Sequence, residues 1–233
     1  METPLTILYT HRRRGDLEAL PKLHNFLRQL QAHYSEAPAL VCADDPASPV
    51  GSVLRLDLGE SCDPAVWHCA VSGGRSTLVV LDGMGFDAAR VDNAAAIRAQ
   101  MGDSVRLALV DGENPYRVDD VEIAADDLTP LRSAQSPLST PWRGGSGGEV
   151  FRLQIILSPA ERTHLDGDRL YLAGLAGGEQ VGVAQLTRII DRWALVTHEI
   201  HELPRRALPD PTIAASVEFV LSEARYAQKR RSS

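Results

Sequence analysis

Long apolar runs are missing from this chain: none of its 233 residues falls in a segment approaching the roughly 18 consecutive apolar residues that a membrane-spanning helix needs. No membrane role is expected. Positive charge is also in deficit, with 24 Lys and Arg against 31 Asp and Glu and a net charge of −7. Neutralising nucleic-acid phosphates takes a basic surface, so a general nucleic-acid binder is excluded, and the terminal Lys229, Arg230 and Arg231 read as a solvated helix end. Cysteine is scarce. Cys42, Cys62 and Cys69 are odd in number and contain no C-x-x-C pair that could anchor zinc, which predicts reduced thiols. An apolar strand starts within a few residues of Met1, with no leader-like region before it, so the expected location is the cytoplasm. There is no internal repeat.

What is present fits one globular domain spanning residues 1–233, with 44% hydrophobic and 24% charged residues. Leu5 to Thr10 reads as a buried strand that runs into His11, three consecutive arginines and Gly15-Asp16. Leu17 to Tyr34 follows as an amphipathic helix, with Leu20, Leu23, Leu27, Leu30 and Tyr34 at helical spacing. Val53 to Leu58 is a second strand, Gly73-Gly74 opens a helix through Met84, and Phe86 to Val91 and Val105 to Val110 are further strands. The region from Asp111 to Gly148 reads as irregular, with Tyr116 and Trp142 as core plugs or partner contacts. Its Pro-, Ser- and Gly-rich part, residues 130–148, reads as a mobile loop. Arg152 to Leu157, Arg169 to Ala173, Val181 to Ile190 and Trp193 to Leu203 predict an antiparallel run of strands. Asp210 and Pro211 supply an N-cap and first-turn proline for a last helix. The pattern predicts an α/β protein of two packed sheets with helices outside.

Several clusters invite chemistry and are read as structural. In His198-Glu199-Ile200-His201-Glu202 the histidines are three apart on a strand and therefore point to opposite faces, which a shared metal forbids. Gly73-Gly74-Arg75 before a helix could cradle an anion, but close helix packing explains the glycines as well. Cys62, His68 and Cys69 share one loop; nucleophilic, redox or metal roles for them are minor readings.

Four segments in order, "ILYTHRRRGDLE", "LDLGES", "GGRSTLVVLDGMGFDAARVDN" and "PDPTIAASVEFVL", resemble the calcineurin-like metallophosphoesterases, in particular the catalytic domain of the 5′-nucleotidase branch. The resemblance runs from about Leu5 to Leu221 and skips Asp111 to Gly148, where this chain is shorter. It implies a four-layer α/β/β/α sandwich of two mixed sheets. It also implies a two-metal site built from an Asp-x-His turn, a Gly-Asp, an Asn-His and a Gly-His-x-His, where carboxylates bridge two ions and a metal-bound water attacks phosphorus. On this sequence the Asp and His of the first turn become Arg12 and Arg14, the Gly-Asp carboxylate becomes Glu60, and the Asn-His becomes Asn93-Ala94. The last motif falls on "LQIILSPAER", placing Ala160 and Arg162 where histidines belong.

The resemblance therefore implies a family member without its metals. Two unit charges about 4 Å apart at an effective dielectric near 20 interact by about 4 kcal/mol, and an arginine facing a divalent ion repels it with about twice that. Arginine does not escape by deprotonation. The expectation is a pseudoenzyme with no cofactor and no metal, serving as a binding or assembly module for a protein partner or a second copy of itself. The alternatives are a phosphoesterase with a rearranged site, and a sensor that binds a phosphorylated or other anionic metabolite. For Arg12, Arg14, Glu60, Asn93 and Arg162 three readings stay open: guanidinium groups replacing the metal charge and paired with Glu60, an anion pocket, or a solvent-facing run. Asp57 and Asp92 are expected as partners of the arginines.

Overall fold

The computed structural model describes residues 4–36, 52–102, 105–126, 152–190 and 192–231. Strand β1 (Leu5–Thr10) is buried along its whole length, as an uninterrupted apolar run in a central strand requires. It pairs in parallel with β2 (Ser52–Asp57), and β3 (Ala88–Arg90) and β4 (Ala108–Val110) continue the parallel order. On its other side β1 pairs antiparallel with β10 (Gln180–Ile189), which forms a hairpin with β11 (Arg192–Glu202). The result is a six-stranded mixed sheet in the order β11-β10-β1-β2-β3-β4.

A second, five-stranded sheet runs β5-β6-β7-β9-β8, from β5 (Tyr116–Val118), β6 (Val121–Ala124), β7 (Leu153–Ala160), β8 (His164–Asp166) and β9 (Arg169–Ala173). The expected antiparallel run of late strands holds for β8 with β9 and for β10 with β11. It fails for β7 and β9, which are parallel because the chain crosses through the short edge strand β8. Alternation marks a strand, but pairing direction depends on where the connection travels. The β5–β6 hairpin also corrects the reading of an irregular segment after Asp111: Tyr116 opens β5 and packs against the inter-sheet core. Trp142 and the loop at 130–148 lie outside the described residues.

Side-chain alternation on β1 builds two cores. Leu5, Ile7 and Tyr9 face the second sheet, while Leu8 faces the helices. Tyr9 lies directly opposite Gly182 in the register, and a Cβ at Gly182 would fall 2.1 Å from Tyr9 Cζ. The ring occupies the place of a side chain on the neighbouring strand, and its hydroxyl meets His198 Nε2 at 2.9 Å. His201 points the other way, toward Tyr34 at 2.8 Å. The two histidines are on opposite faces, as expected.

Helices α1 (Leu20–Glu36), α3 (Arg75–Gly83) and α5 (Pro211–Arg231) pack with α4 (Ala94–Met101) on the outer face of the six-stranded sheet, and α2 (Trp67–Ser72) lies against α3 and α5. Asp210 Oδ1 accepts the backbone N–H of Thr212 at 2.9 Å and of Ile213 at 3.1 Å, the N-cap read from the sequence. Helices α2 and α4 were not expected. The signal for α4 is Asn93, whose side chain caps it by accepting the Ala96 N–H at 2.9 Å. No described helix is long and apolar enough to cross a membrane.

Candidate functional site

Parallel strands β1, β2 and β3 end at the same edge of the sheet, so the turns that follow them meet there. The backbones of the first two turns are bonded together: Arg12 N donates to Gly59 O at 3.1 Å, Arg14 N to Glu60 O at 2.8 Å and Gly15 N to Ser61 O at 2.8 Å. Arg12, Arg14 and Glu60 all have positive φ, at 59°, 49° and 54°. Non-glycine residues adopt this conformation at a cost and persist in it where the surroundings fix them. The three expected site residues are thus held in an unusual backbone shape that turns their side chains toward one another.

Glu60 is the hub. Its carboxylate lies 3.3 Å from Arg12 Nε, 3.6 Å from Arg14 Nη2 and 3.6 Å from His11 Nε2. Of the three readings left open by the sequence, the geometry has the arginines paired with Glu60, close to the surface. Side-chain exposure is 43% for Arg12, 62% for Arg14 and 47% for Glu60, so the cluster sits at the rim. His11 was missed by the sequence reading and is buried beneath it. Its Nδ1 accepts the Leu175 N–H at 3.2 Å, which leaves the proton on Nε2, toward Glu60. Burial lowers the His11 pKa despite the opposing effect of Glu60.

The cluster opens on a cleft of about 790 Å³, lined among others by His11, Arg14, Glu60, Arg90, Asp92 and Asn93. Arg90, the last residue of β3, is the second residue the sequence reading missed. It bonds Asp126 at 3.2 Å and lays its stem over Gly59. Its place at the C-terminal end of a parallel strand is the signal that could have found it. Asn93 lines the cleft while its side chain caps α4. Arg162 is exposed in the bend after β7, with its carbonyl accepting from His164 Nδ1 at 3.0 Å, and Pro159 is the residue of that segment that lines the cleft.

The middle arginine behaves unlike its neighbours. Arg13 is 1% exposed, and none of its three guanidinium nitrogens has a hydrogen-bond partner among the described residues. Asp16, Asp57 and Glu179 hold its charge from a distance. Asp57 is fully buried and accepts from Thr10 Oγ1 at 2.8 Å, Gly59 N at 3.2 Å and Ser61 Oγ. Burial outweighs these bonds and pushes its pKa up to about 6.

Beside the arginine turn, Cys62 and Cys69 form a disulfide, with Cα atoms 5.7 Å apart. This corrects the expectation of reduced thiols for two of the three cysteines; Cys42 lies outside the described residues. The seven-residue separation folds back through α2, a closure that no sequence motif announces. Gly73 and Gly74 have positive φ, at 62° and 85°, and line the cleft at the junction of α2 and α3. Their conformation, beyond close packing, accounts for glycine.

No sequence profile of a known family matches the chain, and no curated protein matches it. Solved structures do. The NAD nucleotidase NadN of Haemophilus influenzae superposes with a TM-score of 0.57 at 10% identity, covering 99% of this chain and 68% of that one. YfkN of Bacillus subtilis, a calcineurin-like phosphoesterase, gives a TM-score of 0.52 at 10% identity, covering 98% of this chain and 100% of that one. The sulfate thiohydrolase SoxB of Thermus thermophilus gives 0.55 at 11% identity, covering 94% of this chain and 60% of that one.

The fold is that of the calcineurin-like phosphoesterases. Within this calcineurin-like phosphoesterase fold the residues present do not fit a dinuclear metal centre. At the matched positions Glu60 is the one carboxylate, and it already faces Arg12, Arg14 and His11 within 3.6 Å. Screening at the rim weakens the repulsion of a cation below the figure for a buried site, but two permanent positive charges still stand at the positions that the resemblance assigns to ligands.

Proposed function

We propose that this calcineurin-like phosphoesterase fold is a non-catalytic binding module whose cleft takes a small phosphorylated or carboxylated molecule. The observation that carries the proposal is that Arg14 and Arg90 line a ligand-sized cleft with Arg12 beside them, Glu60 being the resident counter-anion of Arg12 and Arg14 and Asp126 that of Arg90. Guanidinium forks suit phosphate and carboxylate, and an arriving anion exchanges with Glu60 for the same donors. The proposal includes a protein partner or second copy that reads the bound state, and a cytoplasmic setting, where thiol buffers open pairs such as Cys62–Cys69.

The test has two arms. Protein purified without chelators should carry well under one equivalent of Mn, Zn or Fe and hydrolyse neither nucleoside monophosphates nor p-nitrophenyl phosphate. Inorganic phosphate or a nucleoside monophosphate at about 100 times its Kd should raise the melting temperature by roughly 5–10 °C, the effect of about 2.7 kcal/mol on a domain of this size. The rise should vanish in the Arg12→Gln, Arg14→Gln double variant. Chelator-sensitive hydrolysis restored by metal would overturn the proposal in favour of a rearranged phosphoesterase site.

A further inference from the structure

Behind the arginine turn, Cys62, His68 and Cys69 bring one ligand atom each to within 4.8 Å of one another. His68 is buried and fixed at both nitrogens. Its Nε2–H donates to Gly15 O at 3.0 Å, so Nδ1 carries the lone pair, which Ser76 Oγ meets at 2.8 Å. A histidine whose outer nitrogen is anchored on a backbone carbonyl is oriented as metal-binding histidines are. Gly15 makes the approach close: a Cβ there would lie 2.8 Å from Cys69 Sγ and 3.3 Å from His68 Cε1.

The surroundings of the sulfurs also suit thiolate. Thr77 Oγ1 lies 3.2 Å and Ser76 Oγ 3.8 Å from Cys62 Sγ. A disulfide sulfur is a poor acceptor, whereas a thiolate takes hydroxyl bonds well, and both hydroxyls belong to the first turn of α3, whose dipole favours negative charge. Both cysteines line the cleft, which supplies an entry path.

We propose that these residues form a redox-gated metal site, a disulfide when oxidised and, once opened, a Cys2His site for one Zn2+ with its fourth position toward the cleft. A dithiol delivers two electrons and two protons: the Cys62–Cys69 bond breaks, two thiols form, and the dithiol closes its own disulfide. Zinc then displaces one proton from each thiol. Zn–S distances near 2.3 Å and Zn–N near 2.1 Å call for ligand atoms about 3.5–3.8 Å apart, which side-chain rotation provides between Cα atoms 5.7 Å apart. This site uses none of Arg12, Arg14, Glu60 and Asn93, although it opens on the same cleft.

The experiment uses the full chain with Cys42→Ser, so that two thiols remain. Protein reduced with a phosphine and freed of metal is titrated with Co2+, read by its thiolate charge-transfer absorbance, and with Zn2+ by calorimetry. One equivalent should bind to reduced protein and none to oxidised protein. Cys62→Ser or Cys69→Ser should abolish the absorbance, and Thr77→Ala, which removes the hydroxyl 3.2 Å from Cys62 Sγ, should weaken binding by about 10-fold or more, as loss of an outer-shell partner does. Where the cysteine variants fail to fold by circular dichroism, alkylated wild-type protein replaces them and should bind nothing. Two titratable thiols without metal binding, or equal binding before and after alkylation, would overturn the proposal.

Discussion

Arg12 Nε lies 3.3 Å from Glu60 Oε1, and both side chains are close to half exposed. Glu60 therefore works as a surface counter-ion, although it occupies a position that the family resemblance assigns to a buried metal ligand. Exposed ion pairs contribute at most about 1 kcal/mol, whereas breaking a buried pair costs about 3–5. Glu60→Gln should accordingly shift the melting temperature by no more than about 4 °C and leave phosphate binding intact or tighter. Calorimetric scans with and without phosphate measure both. A loss above about 6 °C would show that the cluster is desolvated.

Asp57 makes stability depend on pH in a defined direction. Burial raises its pKa from 3.8 to about 6, so between these values the folded protein holds a proton that the unfolded chain has released. Its contribution is complete below about pH 4 and is lost as pH rises through about 6. Measured by urea unfolding, the stability of wild type relative to Asp57→Asn should fall by up to about 3 kcal/mol between pH 4 and 7, given about 1.4 kcal/mol per pKa unit. A difference independent of pH would refute the assignment.

Arg13 is a buried cation with no hydrogen bond among the described residues, and a buried charge left without one carries a desolvation cost that an apolar side chain of similar volume avoids. Arg13→Met should therefore be neutral or stabilising at pH 5. The same change removes a charge that lowers the Asp57 pKa, so the gain should shrink above pH 7, where Asp57 must ionise without it. Chemical denaturation at the two pH values tests the pair, and a strong loss of stability at pH 5 would mean that Arg13 has a bonded partner.

Gly182→Ala should be severe. The new Cβ would meet Tyr9 Cζ at 2.1 Å on adjacent central strands, and overpacking of this kind costs about 1–3 kcal/mol or more. The melting temperature should fall by roughly 2–12 °C or more, and Tyr9→Leu in the same chain should recover part of it. A Gly182→Ala protein as stable as wild type would show that the ring is free to move.

Much of the fold is legible in local patterns. The run LTILYT can be buried only as a central strand, and leucine spacing from Leu20 to Leu30 fixes the inner face of α1. Asp210-Pro211 sets the start of α5. These signals are short-range, so they survive reading one residue at a time. The parallel pairing of β7 with β9, the short α2, and the His11 member of the cleft left no such signal. Each depends on where a distant segment passes.

The order of the segments and the arginines at 12 and 14 were settled by the sequence itself, because covalent spacing and residue type alone place two permanent positive charges in the turn after a buried strand. Tertiary structure decided the rest: that Glu60 pairs at the rim, that Arg13 is enclosed while its neighbours are not, and that Cys62 reaches Cys69 behind Gly15. Exposure, desolvation and disulfide closure are properties of what surrounds a side chain. In this protein the surroundings are built from strands and turns far apart in the chain, as in the bond from Leu175 to His11, 164 residues away.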